Sequence, residues 1–460
     1  MKVHVKRLDL EEIKKVYVIG IKGSGIVGLV EILAAKGIEV TGSDTNEKFF
    51  TDDVLKKLGI KYIEGFSEEN LPNDADLILY GTSYNETNNV EFAEAKIRDL
   101  QMISYPEMLA ELFNGKYGIA VCGTHGKTTT SAMLADVMKE VGTDTAAVIG
   151  SRVKDWGSNA LAGEGEFFVI EADEFQNKLK MYFPKAAILT SIDWDHPDTY
   201  PTFEEYKKAF SDFVSKIPKT GFLVVWGDSV ATNEIACSCQ CKIIKYGFQP
   251  DNDIVLEKIS NDEFNLKFSG KDLGNFKTKL NGDHNMLNAA AVIAVCRELN
   301  LDMEKVREAL LAFQGTSRRF EYIGERNGAT LIDDYAHHPE EIKATLKGAR
   351  GKYPEKNIIA VFHPHSYSRT EALLQEFSQS FDDADQVIVL DIYSSARETA
   401  GNVSSKDLVN LINKYHFGKA EHVPTINEAV EFLKEKIGEN DIVLCIGAGN
   451  VFELAEKLKQ

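Results

Sequence analysis

The segment Gly123-Thr124-His125-Gly126-Lys127-Thr128-Thr129-Thr130 restricts the fold of this chain more than any other. It follows an apolar run, residues 117–122, and opens a helix-like stretch that reaches residue 141. A strand that turns through glycines into a helix is the geometry of a phosphate-binding loop, because the helix start points unpaired amides at an anion. The loop amides of Gly123 to Gly126 would cradle phosphate oxygens, and the Lys127 ammonium would neutralise the β and γ phosphates. Thr128 would ligate Mg²⁺. The segment departs from G-x-x-x-x-G-K-[ST], since residue 121 is Val where that pattern has Gly. Nucleoside triphosphate binding is the expectation, and a chance glycine turn is the alternative.

A second glycine loop opens the chain. Gly20-Ile-Lys-Gly23-Ser24-Gly25-Ile-Val-Gly28 holds G-x-G-x-x-G between an apolar run, residues 16–19, and a helix-like segment, residues 26–36. Its glycines permit a tight turn and close approach of a pyrophosphate. Alone, the loop fits a dinucleotide, a nucleotide sugar or a purely structural turn. The next strand, residues 38–42, runs into Ser43 and Asp44. Asp44 is placed to accept from a ribose hydroxyl or to stand as a solvated loop acid.

Alternation of strand and helix continues to the C-terminus, so an α/β fold is expected. At 460 residues the chain exceeds one compact core. Three domains are predicted, over residues 1–112, 113–316 and 317–460. The third reads as a doubly wound parallel sheet, with strands at residues 330–332, 358–362, 387–390 and 442–446 and one helix over 371–381. Residues 242–279 suggest a small antiparallel section within the second.

Lys and Arg total 52 against 71 Asp and Glu, a net charge of −19. That balance argues against a general binder of nucleic acid or acidic membrane, though a small anionic substrate stays possible. Apolar runs of membrane-spanning length are missing, and residues 1–16 lack the apolar core of a signal peptide, so a cytoplasmic protein is expected. The six cysteines are too scattered for a disulfide framework. Cys237-Ser-Cys239-Gln-Cys241 has a spacing that could hold a soft metal. Without a partner cluster, it reads as small residues on a helix-to-strand connection.

Glu171-Ala-Asp173-Glu174 ends one apolar run, and Asp193-Trp-Asp195-His196 follows another. Ligands of open α/β sheets collect beyond the carboxyl ends of the strands, where acid and imidazole suit Mg²⁺. Helix caps and a satisfied buried histidine are the alternatives. Asn285 and Asn288 share a helix face. Arg318-Arg319 precede the third domain, and Asp333-Asp334-Tyr335-Ala-His337-His338-Pro339 follows its first strand.

Taken in order, the Gly-Thr-His-Gly-Lys-Thr-Thr-Thr, Glu-Ala-Asp-Glu, Asp-His, His-Asn-x-x-Asn, Ser-Arg-Arg-Phe and Asp-Asp-Tyr-Ala-His-His-Pro segments resemble the Mur ligases, from Gly20 to Gly449. The two glycine loops and the Asp-Asp-Tyr segment are similar to the branch that adds L-alanine. The resemblance implies a Rossmann-like N-terminal domain for a UDP-sugar, a central P-loop-type ATPase and a Rossmann-like C-terminal domain that closes over the site. It implies ATP- and Mg²⁺-dependent ligation of a small amino acid to the lactyl carboxylate of UDP-N-acetylmuramate, through an acyl phosphate, in peptidoglycan precursor synthesis. A recycling ligase that adds a preformed peptide is the alternative within the family. Outside it stand an NAD-dependent oxidoreductase, resting on Gly23-x-Gly25-x-x-Gly28 alone, and a nucleotide-gated binding protein.

By the same resemblance, Gly23, Ser24, Gly25, Ser43 and Asp44 meet the UDP-sugar, and residues 123–129 meet ATP. Asn285 and Asn288 line adenine and ribose, and Arg319, Asp334 and Tyr335 reach the nucleotide. Thr128, Glu171 and His196 hold Mg²⁺. Lys127, Glu171, His196 and Arg319 are the implied catalytic set, and His338 and Arg369 face the amino acid. The chain departs from the family twice. Ser366 stands where alanine-adding members carry Arg, and Phe175-Gln176-Asn177 follows Glu-Ala-Asp-Glu in place of the usual aromatic or Ser, Asp and often Arg.

Overall fold

The structure, a computed structural model, describes residues 12–197, 199–393 and 401–460. Most of the stretch read for a signal peptide, residues 1–11, lies outside the described residues. Three sheets follow one another along the chain. Strands β1 (Lys15–Ile19), β2 (Glu39–Asp44), β3 (Tyr62–Glu64), β4 (Leu77–Tyr80) and β5 (Met102–Ser104) form a parallel sheet in the order β3-β2-β1-β4-β5.

The ten-stranded central sheet comprises β6 (Tyr117–Cys122), β7 (Ala146–Val153), β8 (Ser158–Ala162), β9 (Phe167–Glu171), β10 (Ala186–Leu189), β11 (Phe222–Trp226), β12 (Lys242–Gly247), β13 (Ile254–Lys258), β14 (Glu263–Phe268) and β15 (Lys271–Lys277). Its order is β15-β14-β13-β12-β11-β10-β6-β9-β7-β8. The third sheet holds β16 (Glu321–Arg326), β17 (Ala329–Asp334), β18 (Asn357–Phe362), β19 (Gln386–Val389), β20 (Ala420–His422) and β21 (Asp441–Ile446), ordered β16-β17-β21-β18-β19-β20. It is parallel except at its β16–β17 edge.

Strands such as β10 (Ala-Ala-Ile-Leu) are apolar throughout because helices cover both faces of a parallel sheet. The helix Lys127–Glu140 is buried along one side and the other, from Thr128 to Met138, under the alanine-rich helix Asp283–Glu298 and the helix Met303–Ala312.

Three sequence expectations shift. The antiparallel section is β13–β15, whereas β12 extends the parallel sheet beside β11. The helix expected over residues 371–381 is two short ones, Tyr367–Ala372 and Leu374–Ser378. The cysteine segment is indeed a helix-to-strand turn, but Cys239 and Cys241 are joined as a disulfide, with Cys237 free and exposed. Among the described residues, no helix is long and apolar enough to cross a membrane.

One hydrophobic cluster runs from the first sheet into the central one, from Ile13 through Val148 to Cys239. Its seam is the helix Ser24–Ala35 lying on the β7–β8 hairpin. Asn159 Nδ2 donates to Ser24 O (2.7 Å) and Ile149 O (3.0 Å) across that seam. A Cβ on Gly28 would already stand 3.4 Å from Ala160, Asn159 and Val148. The third glycine of the loop therefore serves domain packing. A bulky side chain there overpacks a fitted interface, which costs about 1–3 kcal/mol. Gly28→Leu should lower unfolding stability by that amount in urea titration, with Gly28→Ala near the parent; equal stability of all three would contradict the seam.

Candidate active site

The phosphate loop is shaped by positions that only glycine fits. Gly123 has φ +129°, and a Cβ there would sit 2.8 Å from Ser191 O. Gly126, at φ +77°, caps the helix Lys127–Glu140, and its Cβ would sit 2.8 Å from Asn288 Oδ1. Two loop amides are tied to the segment after β10: Thr124 N donates to Ser191 O (2.7 Å) and His125 N to Ser191 Oγ (3.0 Å). Lys127 folds back over the loop. Its Nζ donates to Gly123 O (2.6 Å) and Thr124 O (3.0 Å) and lies 3.1 Å from Glu174 Oε2. Burial opposes that charge, but Glu174, Asp173 and Glu171 outweigh it and hold the ammonium protonated.

Carboxylates line the adjoining strand ends. Glu171, at the end of β9, accepts from Thr128 Oγ1 (2.8 Å) and Gly150 N (2.7 Å). Glu174 is fully buried and accepts from Tyr206 Oη at 2.9 Å. His196 adopts φ +54° with Nε2 3.8 Å from Glu174 Oε1, and groups with Asp173 and Glu174 as possible cation ligands. Thr128 and Glu171 are thus in direct contact, whereas His196 has other acids as neighbours, Asp173, Glu174 and Asp195. Hydroxyl and carboxylate oxygens beside a helix start suit a hard cation such as Mg²⁺.

A cavity of about 540 Å³ opens beyond the loop, lined by Gly126, Thr129, Asn285, Asn288, Arg319 and Asp334 among others. Asn288 Nδ2 donates to Asn285 Oδ1 at 3.4 Å, so the two share a face of their helix. Asp334 is committed to the fold, accepting from Phe320 N and Ala336 N at 2.8 Å each. Tyr335 does not line the cavity; its ring lies under the guanidinium groups of Arg318 and Arg319 at 5.0 and 5.2 Å.

The third domain forms the opposite wall. His338 caps the helix Pro339–Lys352, with Nε2 3.4 Å from Trp194 O. Arg369 is buried, and its Nε and Nη2 donate to the two oxygens of Asp195 at 3.0 and 3.3 Å. Ser366, at φ +68°, caps the helix Tyr367–Ala372 by accepting from Arg369 N (3.3 Å). The residue in place of the expected Arg therefore holds the turn that presents Arg369.

In the first domain the Gly23-Ser24-Gly25 turn packs against Tyr105, whose ring would be 2.6 Å from a Cβ on Gly25. Ser43 is fully buried and donates to Glu91. Asp44 accepts from Lys22 N (2.6 Å) and Thr45 N (2.7 Å), so it braces the loop from within, while Ser43 is committed to Glu91.

Two carboxylates flank His125, with Asp193 Oδ2 3.1 Å from Nε2 and Glu341 Oε1 3.2 Å from Nδ1; Asp193 belongs to the segment read in the sequence for Mg²⁺, whereas Glu341 was not singled out there. Burial disfavours charge on His125, yet the two carboxylates prevail and raise it to about 9. The one available signal was Glu341 three residues after His338, the spacing of a capping box. Glu174 was visible within its motif but had no assigned partner. Removing one member of a buried ion pair costs about 3–5 kcal/mol. Glu174→Ala should lose that much in urea unfolding, and Lys127→Met combined with Glu174→Leu should recover part of it; an unaltered Glu174→Ala would show that the pair does not hold the loop.

Three domain models match the chain in succession: "Mur ligase family, catalytic domain" over residues 15–117, "Mur ligase middle domain" over 121–296, and "Mur ligase, glutamate ligase domain" over 318–449. The UDP-N-acetylmuramate–L-alanine ligase of Desulfitobacterium hafniense is 40% identical over 96% of this chain and 99% of its own length. The enzyme of the same name from Caldanaerobacter subterraneus is 39% identical, over 98% of each chain. Among solved structures, the UDP-N-acetylmuramate–alanine ligase MurC of Thermotoga maritima superposes with a TM-score of 0.81 at 26% identity, covering 96% of this chain and 98% of the other. A chain matched along nearly its whole length, with the phosphate loop and its carboxylates built as described, belongs to the Mur ligase family.

Proposed function

We infer that the chain is an ATP-dependent ligase that joins the amine of L-alanine to the lactyl carboxylate of UDP-N-acetylmuramate, in peptidoglycan precursor synthesis. Relatives 37–40% identical over their full length carry that name. The supporting observation in this chain is the convergence of the phosphate loop, the acids after β9 and β10, and His338 and Arg369 of the third domain on one cleft. Residues 1–112 are assigned to the UDP-sugar, 113–316 to ATP and 317–460 to closure over both. Dependence on ATP assigns the reaction to the cytoplasm.

A carboxylate is a poor electrophile. Transfer of the γ-phosphoryl group of ATP converts it to an acyl phosphate, which the neutral amine attacks; the tetrahedral intermediate then expels phosphate. Lys127 and the amides at the start of the helix Lys127–Glu140 are assigned to the charge on the transferred group. Mg²⁺ held by Thr128 and Glu171, with His196, would shield the phosphates. Asn285, Asn288 and Arg319 are assigned to the nucleoside within the cavity, and the Gly23–Gly25 turn to the UDP pyrophosphate. Arg369 spends two of its five N–H donors on Asp195, which leaves the rest of its fork for the carboxylate of the amino acid.

The test is phosphate release with each substrate omitted in turn and with L-alanine, glycine, L-serine or a peptide as acceptor. Release should require ATP, Mg²⁺, UDP-N-acetylmuramate and an acceptor together, with L-alanine preferred. Equal hydrolysis without the sugar, or preference for a peptide, would overturn the assignment.

A further inference from the structure

His125 reaches from the phosphate loop to the third domain, 216 residues away in sequence, where its Nδ1 lies 3.2 Å from Glu341 Oε1. Its Nε2 faces Asp193 Oδ2 at 3.1 Å, and its ring packs on His338 with centroids 4.8 Å apart. Both acids are themselves anchored, Asp193 through its backbone and Glu341 through its carboxylate. Asp193 N donates to Thr124 Oγ1, and that hydroxyl donates to Asp193 O, each at 2.9 Å. Glu341 Oε2 accepts from the amides of His337 (3.0 Å) and His338 (3.3 Å), closing the N-terminal cap of the helix Pro339–Lys352. The carboxylate that starts a third-domain helix therefore also clasps the phosphate loop. His125 and Glu341 both line the nucleotide cavity, and Arg319 and His338 stand on the Glu341 side of the contact.

We propose that His125 is a positioning residue, a pin between Asp193 and Glu341 that couples closure of the third domain to the shape of the phosphate loop. Gly126 and Lys127 follow it directly, so seating the helix Pro339–Lys352 on His125 sets the backbone that receives the triphosphate. Closure and loop geometry then form one cooperative unit: a loop out of place offers the third domain no ring to seat on, and an open third domain leaves the ring held by Asp193 alone. Two carboxylates from different domains against the two nitrogens of one ring form a built contact. This role extends the ligase reading, on which its kinetic readout depends; its closure readout requires only that nucleotide and sugar bind.

The experiment compares His125→Ala, Glu341→Gln and their combination with the parent. Steady-state kinetics is paired with small-angle X-ray scattering in the presence of a non-hydrolysable ATP analogue, Mg²⁺ and UDP-N-acetylmuramate. Each single variant should lower kcat by at least about 10-fold with KM for the UDP-sugar unchanged, since misplacement away from the chemistry is that costly. The combination should fall no further than the worse single, because both remove one contact. Ligand-induced compaction of the parent should be lost in both singles. Losses that multiply, unchanged kcat, or variants that compact as the parent does would overturn the proposal. Should His125→Ala fail a thermal-melt check, Glu341→Gln, whose amide oxygen can still cap the helix, decides by the same compaction. A parent that compacts but releases no phosphate with L-alanine would count against the ligase reading and leave the pin standing.

Discussion

The ammonium of Lys127 sits where burial alone would expel a charge, among the carbonyls of its own loop and against the buried carboxylate of Glu174. Glu174 is positioned in turn by Tyr206, whose hydroxyl also lies 2.9 Å from Thr124 Oγ1. The loop is therefore held from the two strands that flank β6: Thr124 and His125 by the segment after β10, Lys127 and Thr128 by the end of β9 and the acids that follow it. Preorganisation of this kind gives electrostatic catalysis its strength, since the dipoles and charges need no rearrangement when phosphate charge develops.

The three domains are joined by different physics. The first and second share one apolar cluster, and separating them would expose the helix Ser24–Ala35 and the β7–β8 hairpin to water. The third keeps its own two clusters on the faces of its sheet and meets the central domain near the cleft through polar contacts: Glu341 to His125, His338 to Trp194 O, and Arg369 to Asp195. Water can replace such contacts at lower cost than it can cover apolar surface, so the third domain is the one suited to opening for substrates.

Much of this was legible in the sequence because parallel strands write themselves as apolar runs and glycine loops mark their ends. β1, β6 and β10, the loop at residues 123–130, and the acids beyond the strands all carry that signature. The β7–β8 hairpin was not legible: Gly150-Ser151-Arg152 interrupts its apolar pattern, and its second strand, Ser-Asn-Ala-Leu-Ala, has little β character. Nor could sequence tell which polar residues face the cleft. Ser43 and Asp44 lie at the end of a strand, as a ligand contact should, yet their hydrogen bonds run inward to Glu91 and to the loop backbone. Contacts such as Arg369 to Asp195 join residues 174 positions apart, and no local pattern encodes them.

Central to the reaction is activation of the sugar carboxylate by phosphoryl transfer before the amine attacks. The most direct test uses UDP-N-acetylmuramate carrying ¹⁸O in its lactyl carboxylate, with ATP, Mg²⁺ and L-alanine, and mass analysis of the released phosphate. Passage through an acyl phosphate cleaves the bond between the carbonyl carbon and the bridging oxygen, so each phosphate should leave with one ¹⁸O from the sugar. Phosphate free of label, formed in step with the amide, would contradict it.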